Sequence, residues 1–465
     1  MINKNIDYAL IGHNYLTLLL SLGLRKRGKS VLLLDDDRFN YGDFFTNSLT
    51  QLDLDFLQSI GESSQIKPLI NINNYVEVEE RYFYFGKKQV KLGLSPKENF
   101  LEIMRKFPNF FSSDFLSQIN DDFLNSFENE FFQLSKKVSE KINNNSKNQK
   151  MYQIFIDSVG PNLKLFFNSF VDAVLERNDK RSKLQEEINE ELTIFLYLAR
   201  GFYHSHFSIG GSRIELFHTL MCLISPYYRL QNHKLNEDLL ELFKENGGEF
   251  KKLNLSDVKF HRGVVKGLLL ESFEGHITPQ KIIFVGGHPM GLPIKFERPK
   301  NIYNCLQAEV LVNNIPKHFV GKKIVFSSSM KISTGRPMFE ADFFENRIEL
   351  NIVVAKRNGV KVSFIEEQVK KHLEEDFKFL FPEYDFKILD MAMNFTNDIF
   401  IEESVNLNRL KDDFKVKNKF AELIFNAGPL IFNRPKNVHY LGPYNDGFLG
   451  TLSSLIEIRK WQERI

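Results

Sequence analysis

The stretch Asp7 to Asp37, DYALIGHNYLTLLLSLGLRKRGKSVLLLDDD, constrains the chain more than any other. Ala9 to Ile11 is a short apolar run, Gly12 opens a turn, and Tyr15 to Arg27 carries leucines at helical spacing. Gly28 stops that helix, and Val31 to Leu34 is a second apolar run ending in three aspartates. The pattern predicts a strand, a tight turn, a helix and a second strand. That is a βαβ unit of about 30 residues in the register of a dinucleotide-binding fold.

Three glycines normally serve such a turn. The first makes the turn, the second lets the backbone approach a pyrophosphate, and the third lets the helix close on the strand. Gly12 keeps the first position, whereas Asn14 and Thr17 stand at the second and third. Asn14 places a side chain where phosphate would lie, with an amide able to donate a hydrogen bond. Thr17 is small enough to be tolerated at some packing cost. The helix beginning at Tyr15 still offers free N–H groups and the positive end of its dipole. Asp35, about 20 residues beyond Gly12, matches the acid that binds ribose. Its other reading is one of three solvated aspartates in a turn.

The chain has 465 residues, enough for two or three domains and a large core. Hydrophobic residues at 43% and charged residues at 26% describe an ordinary soluble protein. A net charge of +2 gives no global field for nucleic acid or an anionic membrane. The 46 phenylalanines against one tryptophan fit either compositional bias or an apolar cavity lined with aromatics. Cys222 and Cys305 are far apart, without metal spacing, which points to a reducing compartment. Leu16 to Leu24 lacks a cleavage pattern and continues into the βαβ unit, so it is not read as a signal core. No run of about 18 apolar residues exists to span a bilayer. The expected location is cytoplasmic.

Arg38 to Asn47 reads as a turn-rich loop, and Tyr75 to Lys91 as a hairpin turning at Gly86-Lys87. Leu116 to Lys141 is helical, Lys141 to Lys150 is an Asn-rich exposed loop, and Met151 to Gly201 is helical again. Phe202 to Ser212, FYHSHFSIGGS, is a loop, and a helix over Leu235 to Asn246 stops at Gly247-Gly248. Phe250 to Phe284 and Ala308 to Ala355 alternate as strands, and Ser363 to Leu380 is an amphipathic helix. Val438 to Leu441 is a short strand before a glycine-rich turn and the helix Thr451 to Arg464. The fold class expected is α/β. A Rossmann-like dinucleotide-binding domain would be built from residues 1–75, 202–300 and 425–465. A cap of antiparallel sheet and a helical insertion would come from 76–201 and 301–424.

Four stretches in this order resemble the superfamily of phytoene desaturase-like and amine oxidase-like FAD flavoproteins, a fold shared with Rab GDP-dissociation inhibitors. They are the N-terminal βαβ unit; Asp35 with the Tyr-Gly loop after it; SIGGS through ENGGEF into the strands up to KIIFVGG; and LGPYNDGFLGTLSSLIEIRKW. The resemblance implies FAD bound at Gly12, Asn14, Tyr15 and Asp35. It adds Arg38 and Gly42 in the next loop, Val258 as the strand residue whose backbone meets the adenine, and Gly442, Gly447, Phe448 and Leu449 at the C-terminal turn. It places His204, His206, Gly210 and Gly211 near the substrate cavity. The sequence departs from the family at Asn14, Asp43 and Pro443, positions meant to meet the phosphates or ribityl chain, and at Thr17, where the helix closes on the strand.

The function implied is an FAD-dependent oxidoreductase acting on a hydrophobic or amine substrate by hydride removal. The alternative is a flavin-free binding protein on the same scaffold, inhibitor-like, holding a lipid or a protein partner. A small hydrophobic ligand fits either reading, and peripheral membrane contact stays open. His204 and His206 lack further ligands in sequence, so no metal is expected. No nucleic-acid signature is present. No catalytic residue is named.

Overall fold

The computed structural model describes residues 2–36, 48–85, 88–108, 111–145, 151–177, 195–196, 198–199, 213–231, 234–261, 264–271, 275–285, 301–328, 337–355, 362–401, 437–441 and 450–463. The chain opens with β1 (Ile2–Ile11), α1 (Tyr15–Lys26), β2 (Val31–Asp35), β3 (Ser48–Thr50), α2 (Gln51–Ser63) and α3 (Lys67–Ile70). Then come β4 (Tyr75–Glu77), β5 (Arg81–Phe85) and β6 (Lys88–Leu92). A helical layer follows: α4 (Pro96–Lys106), α5 (Ser113–Leu116), α6 (Asp121–Phe132), α7 (Leu134–Asn145), α8 (Met151–Ser158), α9 (Pro161–Arg177) and α10 (Arg213–Ile224). Next are β7 (Tyr227–Leu230), α11 (Leu235–Glu245), β8 (Glu249–Lys252), β9 (Leu255–His261), β10 (Val264–Leu270) and β11 (Gly275–Val285). The rest comprises β12 (Asn301–Val312), β13 (Lys323–Ser327), β14 (Met338–Phe343), β15 (Arg347–Ala355), α12 (Val362–Leu380), β16 (Ile388–Ile401), β17 (Val438–Leu441) and α13 (Gly450–Glu463).

The architecture is α/β, with a Rossmann-like sheet assembled from discontinuous segments. In sheet one, β8, β2, β1 and β11 lie side by side in parallel, and β17 adds in parallel to β11. The hairpin β9–β10 is antiparallel and meets β11 at Leu268 and Ile277. Its Val258 and Leu268 share an apolar cluster with Ile6, Ile11, Leu32 and Leu34, which closes one face of the sheet. β1 is longer than the run Ala9 to Ile11 because β11 pairs with it from Ile2 onward. Backbone pairing carries the strand through Asn3 to Asn5, which an apolar pattern hides.

α1 covers the opposite face. Tyr15 to Leu24 are all buried, since α11 and α13 pack on it while the sheet lies beneath. An all-round leucine helix is stable only in such a sandwich. α13 comes closest at Gly23, where an added Cβ would lie 2.2 Å from Gln462 Nε2. Gln462 is 1% exposed, and neither atom of its amide has a hydrogen-bond partner among the described residues. Gly23→Ala is therefore expected to lose about 1–3 kcal/mol by overpacking. Pairing it with Gln462→Ala should restore most of that loss, and Gln462→Met alone should gain about 1 kcal/mol by removing unpaired polar atoms. Urea unfolding of the variants checks all three.

Sheet two has the order β16-β12-β15-β14-β13-β5-β6, antiparallel except between β13 and β5. α12 packs on one face through Ile365, Val369, Leu373 and Phe377. Sheet three is the small β3-β7-β4. The helical layer joins α1 and α2 in one large core. Within it Phe100 lies against Phe115, Phe123, Phe127 and Phe166, and the Phe167 and Phe217 ring centroids are 4.1 Å apart. These phenylalanines thus fill a core by packing on one another in edge-on and tilted pairs. α7 continues to Asn145, past the expected loop start at Lys141, because Leu134, Val138 and Ile142 keep a buried stripe going.

Candidate functional site

Gly12 adopts φ 116°, and its N–H donates to Leu34 O at 2.9 Å. This joins the end of β1 to the end of β2 and sets the turn, with a backbone conformation that glycine alone adopts readily. Asn14 follows in extended conformation as the N-cap of α1. Its Oδ1 accepts from Thr17 N and from Thr17 Oγ1, each at 3.0 Å. Its Nδ2 donates to Val285 O, the last residue of β11, at 2.9 Å. Asn14 is 7% exposed and Thr17 is fully buried. The two residues in glycine positions are thus partners. One caps the helix and ties it to a neighbouring strand, and the other supplies the capped donors.

At the tip of β2, Asp35 is 5% exposed, and its Oδ2 lies 3.4 Å from His13 Nδ1. The His13 ring sits 5.3 Å from Phe250 on β8, and Lys244 Nζ lies 5.3 Å from the same phenyl ring. Asp36 is fully buried and accepts from Leu255 N at 2.7 Å. Neither aspartate is a solvated turn residue: one meets His13, and the other anchors the start of β9.

Tyr15 turns away from the turn mouth into the core beside Tyr75 and Asp53. Its hydroxyl has no hydrogen-bond partner among the described residues. Burial first, then Tyr75 and Asp53, push its ionisation well above the ordinary tyrosine range. Val258 lies on β9 with its side chain in the cluster against Leu34. Its backbone N donates to Asp257 Oδ1 at 2.7 Å. Gly12, His13, Asn14 and Asp35 therefore meet at one end of sheet one, and Val258 lies under it. Arg38, Gly42, Asp43, His204, His206, Gly210, Gly211, Gly442, Pro443, Gly447, Phe448 and Leu449 lie outside the described residues. Among the described residues no three histidine, cysteine, aspartate or glutamate side chains gather as for a metal. No described helix is long and apolar enough to cross a membrane.

The sequence reading passed over two features. His13 is a partner of Asp35, which only the fold brings to it. Asn14 to Thr17 is a cap spacing that was visible, since asparagine ranks among the best N-caps.

No family model matches the chain, and no curated protein matches it. Solved structures do. Rab GDI from Plasmodium falciparum is 13% identical, with 86% of this chain and 90% of that one covered at a TM-score of 0.45. A geranylgeranyl bacteriochlorophyll reductase-like protein from Thermoplasma acidophilum is 9% identical, with 98% and 77% covered at 0.46. A myxobacterial chondrochloren halogenase, described as FAD-dependent, is 10% identical, with 84% and 64% covered at 0.42. Similarity this low assigns no activity.

The residues at the turn test whether FAD fits. A pyrophosphate there would draw on the first N–H groups of α1. Asn14 Oδ1 already holds the Thr17 amide, and its Nδ2 is spent on Val285 O. The acid meant for ribose faces His13. In the described part of the site the residues do not fit the group.

Proposed function

We propose that this chain is a flavin-free binding protein on a dinucleotide-binding scaffold, with an apolar molecule or a protein partner as its ligand. One observation carries the reading: the buried Asn14 carboxamide stands in for the nucleotide, bonded to Thr17 on one side and Val285 on the other. Such a turn is complete without phosphate. Leu101, Leu116 and Phe132 on the helical layer are exposed apolar side chains that such a ligand or partner would meet.

The second reading, an FAD-dependent oxidoreductase acting on a hydrophobic or amine substrate, draws support from Gly12 and Asp35. Gly12 keeps its turn conformation, and Asp35 keeps its place at the tip of β2. The purified protein separates the two readings. It is expected to be colourless near ~450 nm, where a bound flavin would absorb. Added FAD should leave its melting temperature unchanged, whereas a ligand at about 100 times its Kd would add about 2.7 kcal/mol. A yellow protein with about one flavin per chain would overturn the proposal.

Variants at Asn14 test the local argument. Asn14→Gly loses both the cap and the Val285 tether, and Asn14→Ser keeps a capping hydroxyl but loses the tether. Glycine at an N-cap costs only a few tenths of a kcal/mol. An orphaned buried carbonyl costs about 1–3 kcal/mol. Both variants should therefore fall by about 2 kcal/mol in denaturant unfolding. If both stay within a few tenths of the parent, the tether is not what holds the turn.

A further inference from the structure

A second cavity lies away from the nucleotide turn, between α2 and one face of sheet three. It has a volume of about 440 Å³, within the range of small-molecule sites. Leu54, Tyr75 and Tyr228 are among its lining residues. Four carboxamides reach it: Gln51, Gln58, Asn73 and Gln231. Glu77 is its one carboxylate, and no lysine, arginine or histidine is among its lining residues.

The lining is held in place from behind. Ser135 Oγ donates to Asp55 Oδ2 at 2.8 Å, and Gln51 Nε2 donates to Asp55 Oδ1 at 2.6 Å. Tyr228 OH donates to Gln51 Oε1 at 2.5 Å. Gln51 N donates to Ser225 Oγ and to Pro226 O. Burial first, then Glu77 and Asp55, push the Tyr228 phenol up to about 12, so it stays a neutral hydroxyl. Binding therefore meets groups that are already ordered.

The inventory of donors and acceptors selects the ligand. A phosphate or carboxylate offers acceptors only, and would meet Glu77 with no lining cation to offset it. An ammonium or guanidinium offers donors only, and would leave the carboxamide N–H groups desolvated and unpaired. Gln51 and Tyr228 are already bonded to Asp55 and to each other, so Gln58, Asn73, Gln231 and Glu77 offer the groups for a ligand; hydroxyls both donate and accept, so they match carboxamides and a carboxylate together. The C–H face of a sugar or cyclitol ring would rest on the half-buried Tyr228.

We propose that this cleft binds a neutral polyhydroxylated small molecule of about monosaccharide size. The probes are D-glucose, D-mannose and myo-inositol, with inorganic phosphate and trilysine as contrasting charges. Saturation-transfer NMR and calorimetry on the full chain read the binding. At least one polyol is expected to bind with a millimolar or tighter Kd and to outcompete both charged probes. Gln231 is exposed, so Gln231→Ala should keep the melting temperature and weaken that polyol about tenfold. Gln58→Ala should weaken it similarly. Absence of polyol binding overturns the proposal, and so does tighter binding of phosphate or trilysine. Polyol binding that survives both substitutions at full strength places the ligand elsewhere and overturns it too.

Discussion

Lys323→Met is expected to destabilise the protein by about 3–5 kcal/mol, the largest effect of any single exchange considered. Lys323 lies on β13 with no solvent exposure. Its ammonium pairs with Glu340 and with Asp342 Oδ2, the latter at 2.9 Å, both on the adjacent β14. Burial alone would push the ammonium down, but Asp342 and Glu340 outweigh it and hold its pKa above the ordinary value. Arg229 reaches Asp342 at 3.6 Å. Tyr227, beside Arg229's strand neighbours on β7, presents its ring to both Arg81 and Lys323 at 5.2 and 5.5 Å. Arg81 in turn donates to Ser225 O at 2.6 Å. Sheet two and sheet three are thus joined by a buried charge cluster. Methionine fills the volume and leaves two carboxylates facing each other in the interior. Adding Glu340→Gln should recover part of that loss at neutral pH in denaturant titrations. A single variant as stable as the parent at neutral pH would show that the cluster does not hold the junction.

Nothing in the sequence announces that cluster. Lys323, Glu340 and Asp342 sit in strands whose alternation assigns charged positions to a solvated face, whereas all three are buried. The βαβ unit was legible because each of its signals is local: Gly12, the leucines of α1, Gly28 and the run to Asp35. The strands of sheet three were not, since β3 and β7 span three and four residues and have too little length for a period. β16 was also missed, because Asn394, Asn397 and Asp398 interrupt its alternation while β12 pairs along it. At the site, local reading placed Asn14 correctly at the turn but aimed its amide at a phosphate. The fold supplies Val285 instead, 271 residues away, so the acceptor was beyond any local pattern. Asp35 poses the same problem, since its exposure is set by how His13 and Phe250 close over the strand end.

The protein should also lose stability as pH rises through the mildly acidic range, and Asp53 should account for much of that loss. Asp53 sits in the first turn of α2, where its Oδ2 accepts from Thr50 N and Thr50 Oγ1 at 2.9 and 2.8 Å. Burial raises its pKa from 3.8 to about 6, the Thr50 bonds pull it down less, and Asp55 adds to the rise. A carboxyl whose folded pKa is raised holds its proton longer in the native state than in the unfolded one. Between the two values the native state binds more protons, so stability falls as pH climbs from about 4 to about 6. Its contribution is fully present below the unfolded pKa, and the total loss above the folded one is about 3 kcal/mol. Of this, about 2 kcal/mol should fall between about pH 4.5 and about pH 7.5. Asp53→Asn keeps an oxygen for Thr50 and removes the titration. Whatever its absolute stability, the difference in unfolding free energy between those two pH values should shift by about 2 kcal/mol relative to the parent. Asp55 also has a raised pKa, from burial first, and remains in both proteins, so only its coupling to Asp53 enters that comparison. Equal pH slopes in parent and variant would mean that Asp53 is ionised in the folded state as readily as in the unfolded chain.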